Sequence, residues 1–466
     1  MQDNAQQSPL TVDNIIEKLP VTRAHAIGTL ICALGFMFDS FDTYIISYAM
    51  PVLRNEWSLD PVTAGTLNSA GIWGMFLGGV VCGPFTDRMG RRMGLICTIL
   101  GFSLINGFAA VCTNVPQFLA VRFISGLCLG GMIPCAAALI SELVNSKHRG
   151  RVTALLPTLW PMGMFVAAVV SSLYLPAFNE WKDWTGPEIF KTWRGLFIIG
   201  ALPAFLAFFV FRYIQESPRW LISTGQKEKC AAVLKKLGAS DQDLSRLTAP
   251  TGTEKQVGIP ISVLFKPPYR KRMILTCGYY FFSYFGYYGF LLWLPSILTT
   301  VYGLKLSNAL QMTIITGLVA LLGRFVGLYT IERFGRKQLF IVGFGVAGFV
   351  AMSFCFMHNL FLTNPTYLLY LLCIVVFFYE QGIQGTVAYT PELYPSSVRT
   401  TAAGVSAGFG RASGALSSIV FGFFMSHQWY DGIYITMAIM FWIAALLVVF
   451  LGVETKGRTL EELGAA

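Results

Sequence analysis

Apolar and polar positions along this chain alternate in blocks rather than residue by residue. Apolar runs fall at about 24–50, 61–85, 93–113, 117–142, 152–175 and 194–213, and again at about 271–298, 308–331, 338–357, 366–390, 401–425 and 432–453. Each is close to the roughly 20 residues that a helix needs to cross a bilayer. Backbone in lipid must satisfy its own hydrogen bonds, so helices are the form such runs take. The pattern predicts an all-α polytopic membrane protein with twelve transmembrane helices in two sets of six. Polar stretches divide the chain into a tail over 1–22, a first bundle over 23–213, a linker over 214–270, a second bundle over 271–453 and a tail over 454–466. Only the linker is long, and within it Gln226 to Leu237 has the spacing of a short surface helix.

Charge then orients the spans. One set of loops carries Arg88, Arg91 and Arg92, then Lys147, Arg149 and Arg151, the basic linker, Arg333, Arg336 and Lys337, and last Arg399. The other set carries only Arg54, Lys182, Lys191 and Lys305. The positive-inside rule puts the first set, and with it both termini, in the cytoplasm. Composition agrees: 12% of residues are charged and 55% hydrophobic, against roughly 25% charged in a soluble domain. An ordinary cytosolic enzyme, a disordered scaffold and a secreted disulfide module are all excluded. The net charge of +10 sits in loop clusters between apolar runs, so no nucleic-acid partner is expected. The ten cysteines form no C-x-x-C and lie mostly inside apolar runs, as buried small hydrophobes do; no metal is expected. The first 22 residues hold Asp3, Asp13 and Glu17, unlike a secretory signal. No H-E-x-x-H, G-x-S-x-G or Walker motif is present, so neither an enzyme nor a cofactor is expected.

The halves repeat each other. After the second span the chain reads Asp87, Arg88, Gly90, Arg91 and Arg92; after the eighth it reads Glu332, Arg333, Gly335, Arg336 and Lys337, 245 positions on. Glu142 and Arg149 after the fourth span recur as Glu392 and Arg399 after the tenth, 250 positions on. Two matched sets at nearly one offset indicate two parallel six-helix bundles with a substrate site at their interface. Acids at helix ends beside loop arginines would form a latch that ties the halves together when the cytoplasmic side closes. Topology alone explains loose basic clusters, but not an acid and a glycine in fixed register twice.

These residues carry a resemblance. The D-R-x-G-R-R run resembles the signature of the major facilitator superfamily. Glu216 to Leu221, E-S-P-R-W-L, resembles the run in sugar porters and organic-ion transporters. Tyr389 to Pro395, Y-T-P-E-L-Y-P with Arg399 following, is similar to organic cation/anion, synaptic-vesicle-protein and bacterial nicotinate transporters. The tail from Glu454 to Glu461 fits the same branch, and Phe38-Asp39-Ser40-Phe41-Asp42 resembles the acidic run of nicotinate transporters and aromatic acid–proton symporters. The resemblance implies the major facilitator fold and secondary active transport. Two departures narrow it. The outer loop after span one, 51–60, is short, which favours a bacterial type in the inner membrane. Span seven has neither Gln nor Asn, which speaks against a sugar.

Charged groups inside spans are expensive and point to function. Asp39 lies halfway along span one and Asp42 one turn further out, so both are proton-coupling candidates; the other reading of Asp42 is a solvated outer mouth. Arg411 lies about 16 Å into span eleven at 1.5 Å per residue, among Gly408, Gly410, Ser413 and Gly414. Its planar fork suits a substrate carboxylate; the other reading is a structural pair with an acid such as Glu380. Arg324 in span eight has Gly79 as its repeat counterpart and so breaks the pseudo-symmetry, which points to a role of its own, next after Arg411 in reading an anion; the other reading, the favoured one, places it among the cytoplasmic charges near Glu332. Arg122 in span four reads as structural. Tyr280, Tyr284, Tyr287 and Tyr288 share one helical face and would line a pocket for a flat ring, with Tyr279 left at the lipid interface. Gln381, Gln384 and Tyr389 of span ten would orient the substrate.

The expectation is a monomeric transporter that takes up a small aromatic organic anion, nicotinate- or benzoate-like, with protons. An organic cation bound by Asp39, a sugar, and a non-transporting membrane sensor are the alternatives.

Overall fold

A computed structural model describes residues 10–180, 192–248, 261–395 and 398–457 of the chain. The first six spans are α1 (Arg23–Trp57), α2 (Pro61–Met89), α3 (Arg91–Phe108), α4 (Val115–Leu143), α5 (Trp160–Glu180) and α6 (Trp193–Tyr213), the last broken by a turn after Ile199. The second six are α7 (Arg270–Thr300), α8 (Leu306–Phe334), α9 (Arg336–Phe356), α10 (Pro365–Glu392), α11 (Arg399–Ser426) and α12 (Tyr430–Leu451). Eleven of these are long and apolar enough to cross a membrane. The twelfth, α11, is rich in Gly, Ala and Ser and packs between α2 and α7. The surface helix expected in the linker forms as Lys227–Leu237 and buries Cys230, Val233, Leu234 and Leu237.

Local chemistry sets the helix ends. Asp60 caps α2, accepting from the amides of Val62 and Thr63 at 3.0 and 3.1 Å, with Pro61 at the first helical position. Asn114 and Asn364 cap α4 and α10 in the same way. The hairpins α2–α3 and α8–α9 each turn on one glycine: Gly90 at φ 97° and Gly335 at φ 94°. With ψ of 152° and 167°, both sit in a region open almost only to glycine. Each turn is clasped by an acid from the end of its own half. Glu216 accepts from the Arg92 amide at 3.0 Å. Glu454 accepts from the Arg336 and Lys337 amides at 3.0 Å each.

Small residues bring helices into backbone contact, as membrane packing favours. On α2, Gly74 and Gly78 lie against the carbonyls of Phe123 and Leu127; on α4, Gly126 and Gly130 lie against those of Gly71 and Met75. Between the halves, α2 meets α11 and α5 meets α8. At the end of the molecule away from the basic loops this contact is tight. A Cβ on Gly65 would come 2.5 Å from the Ser418 carbonyl oxygen, and one on Gly422 would come 2.6 Å from that of Pro61. Ser47 on α1 donates to the Leu292 carbonyl on α7 at 2.7 Å. Toward the basic end α2 and α11 diverge: among the described residues, a Cβ on Gly83 or Gly404 would meet nothing within 4 Å.

Candidate functional site

Where the halves part, a cavity of about 160 Å³ opens at mid-depth. That is close to the volume that holds one benzene ring in an engineered protein core, about 150 Å³. Its α7 wall is aromatic. Tyr280, Tyr284, Tyr287 and Tyr288 all line it, so the stripe read from the sequence faces one space. Tyr284 and Tyr288 stack at 5.4 Å between centroids, and Tyr280 follows Tyr284 at 5.5 Å. Glycines on α11 make room for them: a Cβ on Gly410 would lie 3.2 Å from Tyr280 and Tyr284, and one on Gly414 would lie 3.2 Å from Tyr288.

Four charged side chains line the same cavity: Asp39, Arg324, Glu380 and Arg411. Asp39 on α1 is buried, and its Oδ2 accepts from the Trp160 indole at 3.2 Å. Its other oxygen has no hydrogen-bond partner among the described residues. Trp160 also meets Tyr288 edge-on at 6.0 Å, which joins the first-half acid to the second-half tyrosine wall. Arg411 reaches across to the first half, with Nη1 3.1 Å from where a Cβ on Gly79 would stand. It lies within electrostatic reach of Asp39. Among the described residues it has no ion pair or hydrogen bond of its own.

The structural partner weighed for Arg411 is taken elsewhere. Glu380, fully buried, pairs with Arg324 at 2.5 Å and accepts from the Tyr287 hydroxyl at 2.6 Å. Tyr287 in turn stacks on Tyr379 at 3.7 Å. Arg324 thus belongs to the cavity wall and not to the charges near Glu332, because its guanidinium turns across to α10. Gln384 touches that group, its oxygen 3.4 Å from Arg324 Nη1. Neither Gln384 nor Gln381, which is buried beside Gly327 on α8, is among the cavity lining.

Three further positions differ from expectation. Tyr389 is not brought to the cavity: its hydroxyl donates to the Val453 carbonyl at 2.8 Å and accepts from the Val453 amide at 2.9 Å, which ties α10 to the tail. Tyr279 does not face lipid; it is buried, its hydroxyl 2.5 Å from that of Thr390. Asp42 is no solvated mouth residue. It forms a buried ion pair with Arg122 at 2.8 Å, and Arg122 also donates to Asn106 at 2.6 Å and to the Asp42 carbonyl at 3.0 Å.

The rim residues pair within halves. Arg91 meets Glu142 at 3.5 Å and Arg336 meets Glu392 at 3.0 Å, the same contact made twice by the repeat. Arg149 lies 4.0 Å from Glu17, and Arg399 donates to the Tyr394 carbonyl at 3.2 Å. Arg88, Glu332 and Arg333 are exposed, with Arg333 3.4 Å from the Tyr329 hydroxyl. The side chain of Asp87 lies outside the described ones. These described pairs do not cross between the halves, which have separated at this end. Trp160 and Tyr379 were missed in the sequence. A lone tryptophan opening a span after Pro157, and one tyrosine among phenylalanines, give no periodic signal.

Known proteins resemble this chain over nearly all of its length. Residues 28–466 match the family described as "Sugar (and other) transporter". A niacin transporter, NiaP, of Acinetobacter baylyi is 31% identical over 96% of this chain and 98% of its own. A 4-hydroxybenzoate transporter, PcaK, of the same organism is 27% identical over 96% of each. In structure, the xylose transporter XylE of E. coli in a partially occluded inward-open conformation superposes with a TM-score of 0.71 over 94% of this chain and 100% of its own, at 20% identity.

Proposed function

This chain belongs to the sugar (and other) transporter family, a branch of the major facilitator superfamily, and on that premise we propose that it takes up a small aromatic monocarboxylate together with a proton across the bacterial inner membrane. The observation that carries the reading is Arg411: a guanidinium with no ion pair among the described residues, set with a wall of tyrosines in a cavity of one-ring size. A carboxylate on Arg411 and a ring against Tyr280, Tyr284 and Tyr288 satisfy both sides at once. An amine would have to enter beside that cation, and a sugar would leave the charge unanswered. The names of the similar transporters, for niacin and 4-hydroxybenzoate, lend support.

Asp39 is the proton carrier in this reading. It faces the same cavity, one of its oxygens has no partner among the described residues, and Arg411 lies within its field. Loading a proton on Asp39 removes the negative charge that competes for Arg411 and so favours the anion. Asp42 balances the charge of Arg122 in a buried pair and is the second candidate for a proton. The basic end is cytoplasmic by the positive-inside rule, which makes the described conformation inward-facing. Rim pairs such as Arg91–Glu142 and Arg336–Glu392 hold each half as one body, and Asp87, Arg88, Glu332 and Arg333 are left to latch the rim when it closes.

The test is binding of nicotinate and nicotinamide to purified protein. Arg411→Ala should weaken the acid at least about ten-fold and leave the amide little changed, because a buried anion without its partner is costly. Equal losses for both would make Arg411 scaffold and remove the carboxylate reading.

A further inference from the structure

The cavity holds two guanidinium groups but offers only one. Arg324, 5% exposed, is held at 2.5 Å by the fully buried carboxylate of Glu380. That carboxylate is fixed from its other side by the Tyr287 hydroxyl at 2.6 Å. Tyr287 cannot swing away without breaking its stack on Tyr379 at 3.7 Å.

The repeat shows that this pair is an addition to the fold. At the offsets that relate the halves, the counterpart of Arg324 is Gly79 and that of Glu380 is Gly130. Those two glycines also stand together, the Cβ position of Gly79 lying 3.7 Å from the Gly130 carbonyl oxygen. One half therefore closes its α2–α4 contact with glycines alone, while the other places a buried ion pair between α8 and α10 in the cavity wall. Helix packing does not require the pair, since the first half packs without it.

We propose that Glu380 is a specificity-determining residue that fixes the charge of the cargo: by occupying Arg324 it leaves Arg411 as the one available guanidinium, admits a ring with a single carboxylate, and rejects the same ring with two. A second carboxylate entering the cavity meets Glu380, and like charges brought together without water repel strongly. Selectivity here comes from a group arranged against the wrong ligand as much as from one arranged for the right one. The inference rests on the aromatic-monoanion reading of the cavity.

The probes are nicotinate, pyridine-3,5-dicarboxylate and its half-amide, with binding measured on purified full-length protein at about pH 7.5, where the carboxyl groups of the probes are ionised. Half-amide and diacid have the same shape, so their ratio reads charge and not size. The parent should bind the half-amide at least about ten-fold more tightly than the diacid. In Glu380→Gln the freed Arg324 should bring the two level or invert the order. Arg324→Gln with Glu380→Gln restores the parent's charge with a neutral pair and should restore its preference. If Glu380→Gln does not fold, Arg324→Gln gives the converse: Glu380 is left unpaired, and nicotinate should weaken at least about ten-fold while nicotinamide holds. An unchanged half-amide to diacid ratio in a Glu380→Gln protein that still binds nicotinate overturns the charge filter alone. A folded parent that binds none of the three acids overturns the monoanion reading and the filter with it.

Discussion

Asp39 and Asp42 stand one turn apart on α1 and meet different chemistry. Asp39 looks into the cavity and accepts from an indole; Asp42 is locked to Arg122. In Asp39→Asn we expect proteoliposomes to lose nicotinate accumulation driven by a pH gradient yet to keep exchange of labelled for unlabelled substrate. Accumulation equal to the parent's would remove Asp39 from coupling. Tyr284→Ala should weaken nicotinate and nicotinamide alike, by about 1 kcal/mol for a lost ring contact, since the ring does not read charge. The tyrosine stripe was legible in the sequence because its spacing is a property of one helix. The pairing of charges was not: Arg324, Arg411 and Glu380 sit on three helices, and which arginine receives the acid depends on how α8, α10 and α11 pack.

Among the elements, most spans were legible to within a few residues, and Asp-Pro, Asn-x-Pro and Asn-Pro steps start α2, α4 and α10 while glycines end α2 and α8; α1 instead runs on to Trp57, past the apolar run ending at 50, and α5 starts only at Trp160, after a run read from 152. The tightness of the α2–α4 contact was not, since a glycine in a span reads the same whether it faces lipid or a neighbour's carbonyl. Gly78→Val would set its side chain against the Leu127 carbonyl. Overpacking of that kind costs about 1–3 kcal/mol, and a lowered melting temperature of the purified protein would register it. The tail is tied on by polar contacts: Glu17 accepts from the Ser146 hydroxyl at 2.7 Å and from its amide, at the start of helix Ser146–Leu155. The Ser146 hydroxyl holds this carboxyl below its ordinary range. A carboxyl depressed in the folded state stabilises above its unfolded value, about 4.3, and stops doing so as pH falls through the folded one. Amide protection of residues 146–155, taken relative to the intrinsic exchange rate at each pH, should accordingly be high at neutral pH and fall on acidification through that range, and Glu17→Gln should lower it already at neutral pH.

Taken whole, the molecule is two bodies in contact at one end and apart at the other. If one proton on Asp39 travels with one monoanion, each cycle moves no net charge. Uptake into proteoliposomes should then follow the pH gradient and ignore a potassium–valinomycin potential; a potential-driven component would mean that Asp42 carries a second proton. The twofold plan was legible because its repeat lies in the loops, whereas the conformation was not, since Gly65, Gly83, Gly404 and Gly422 look alike until their neighbours are known. The clasps at Gly90 and Gly335 have a consequence for synthesis. Translation proceeds from the amino end, so Glu216 emerges and can fasten the α2–α3 turn before any of α7 to α12 exists. The second turn waits for Glu454, made only after α12. The first half can thus be finished in the membrane while its partner is still unwritten, and the nascent second half stays unfastened longest.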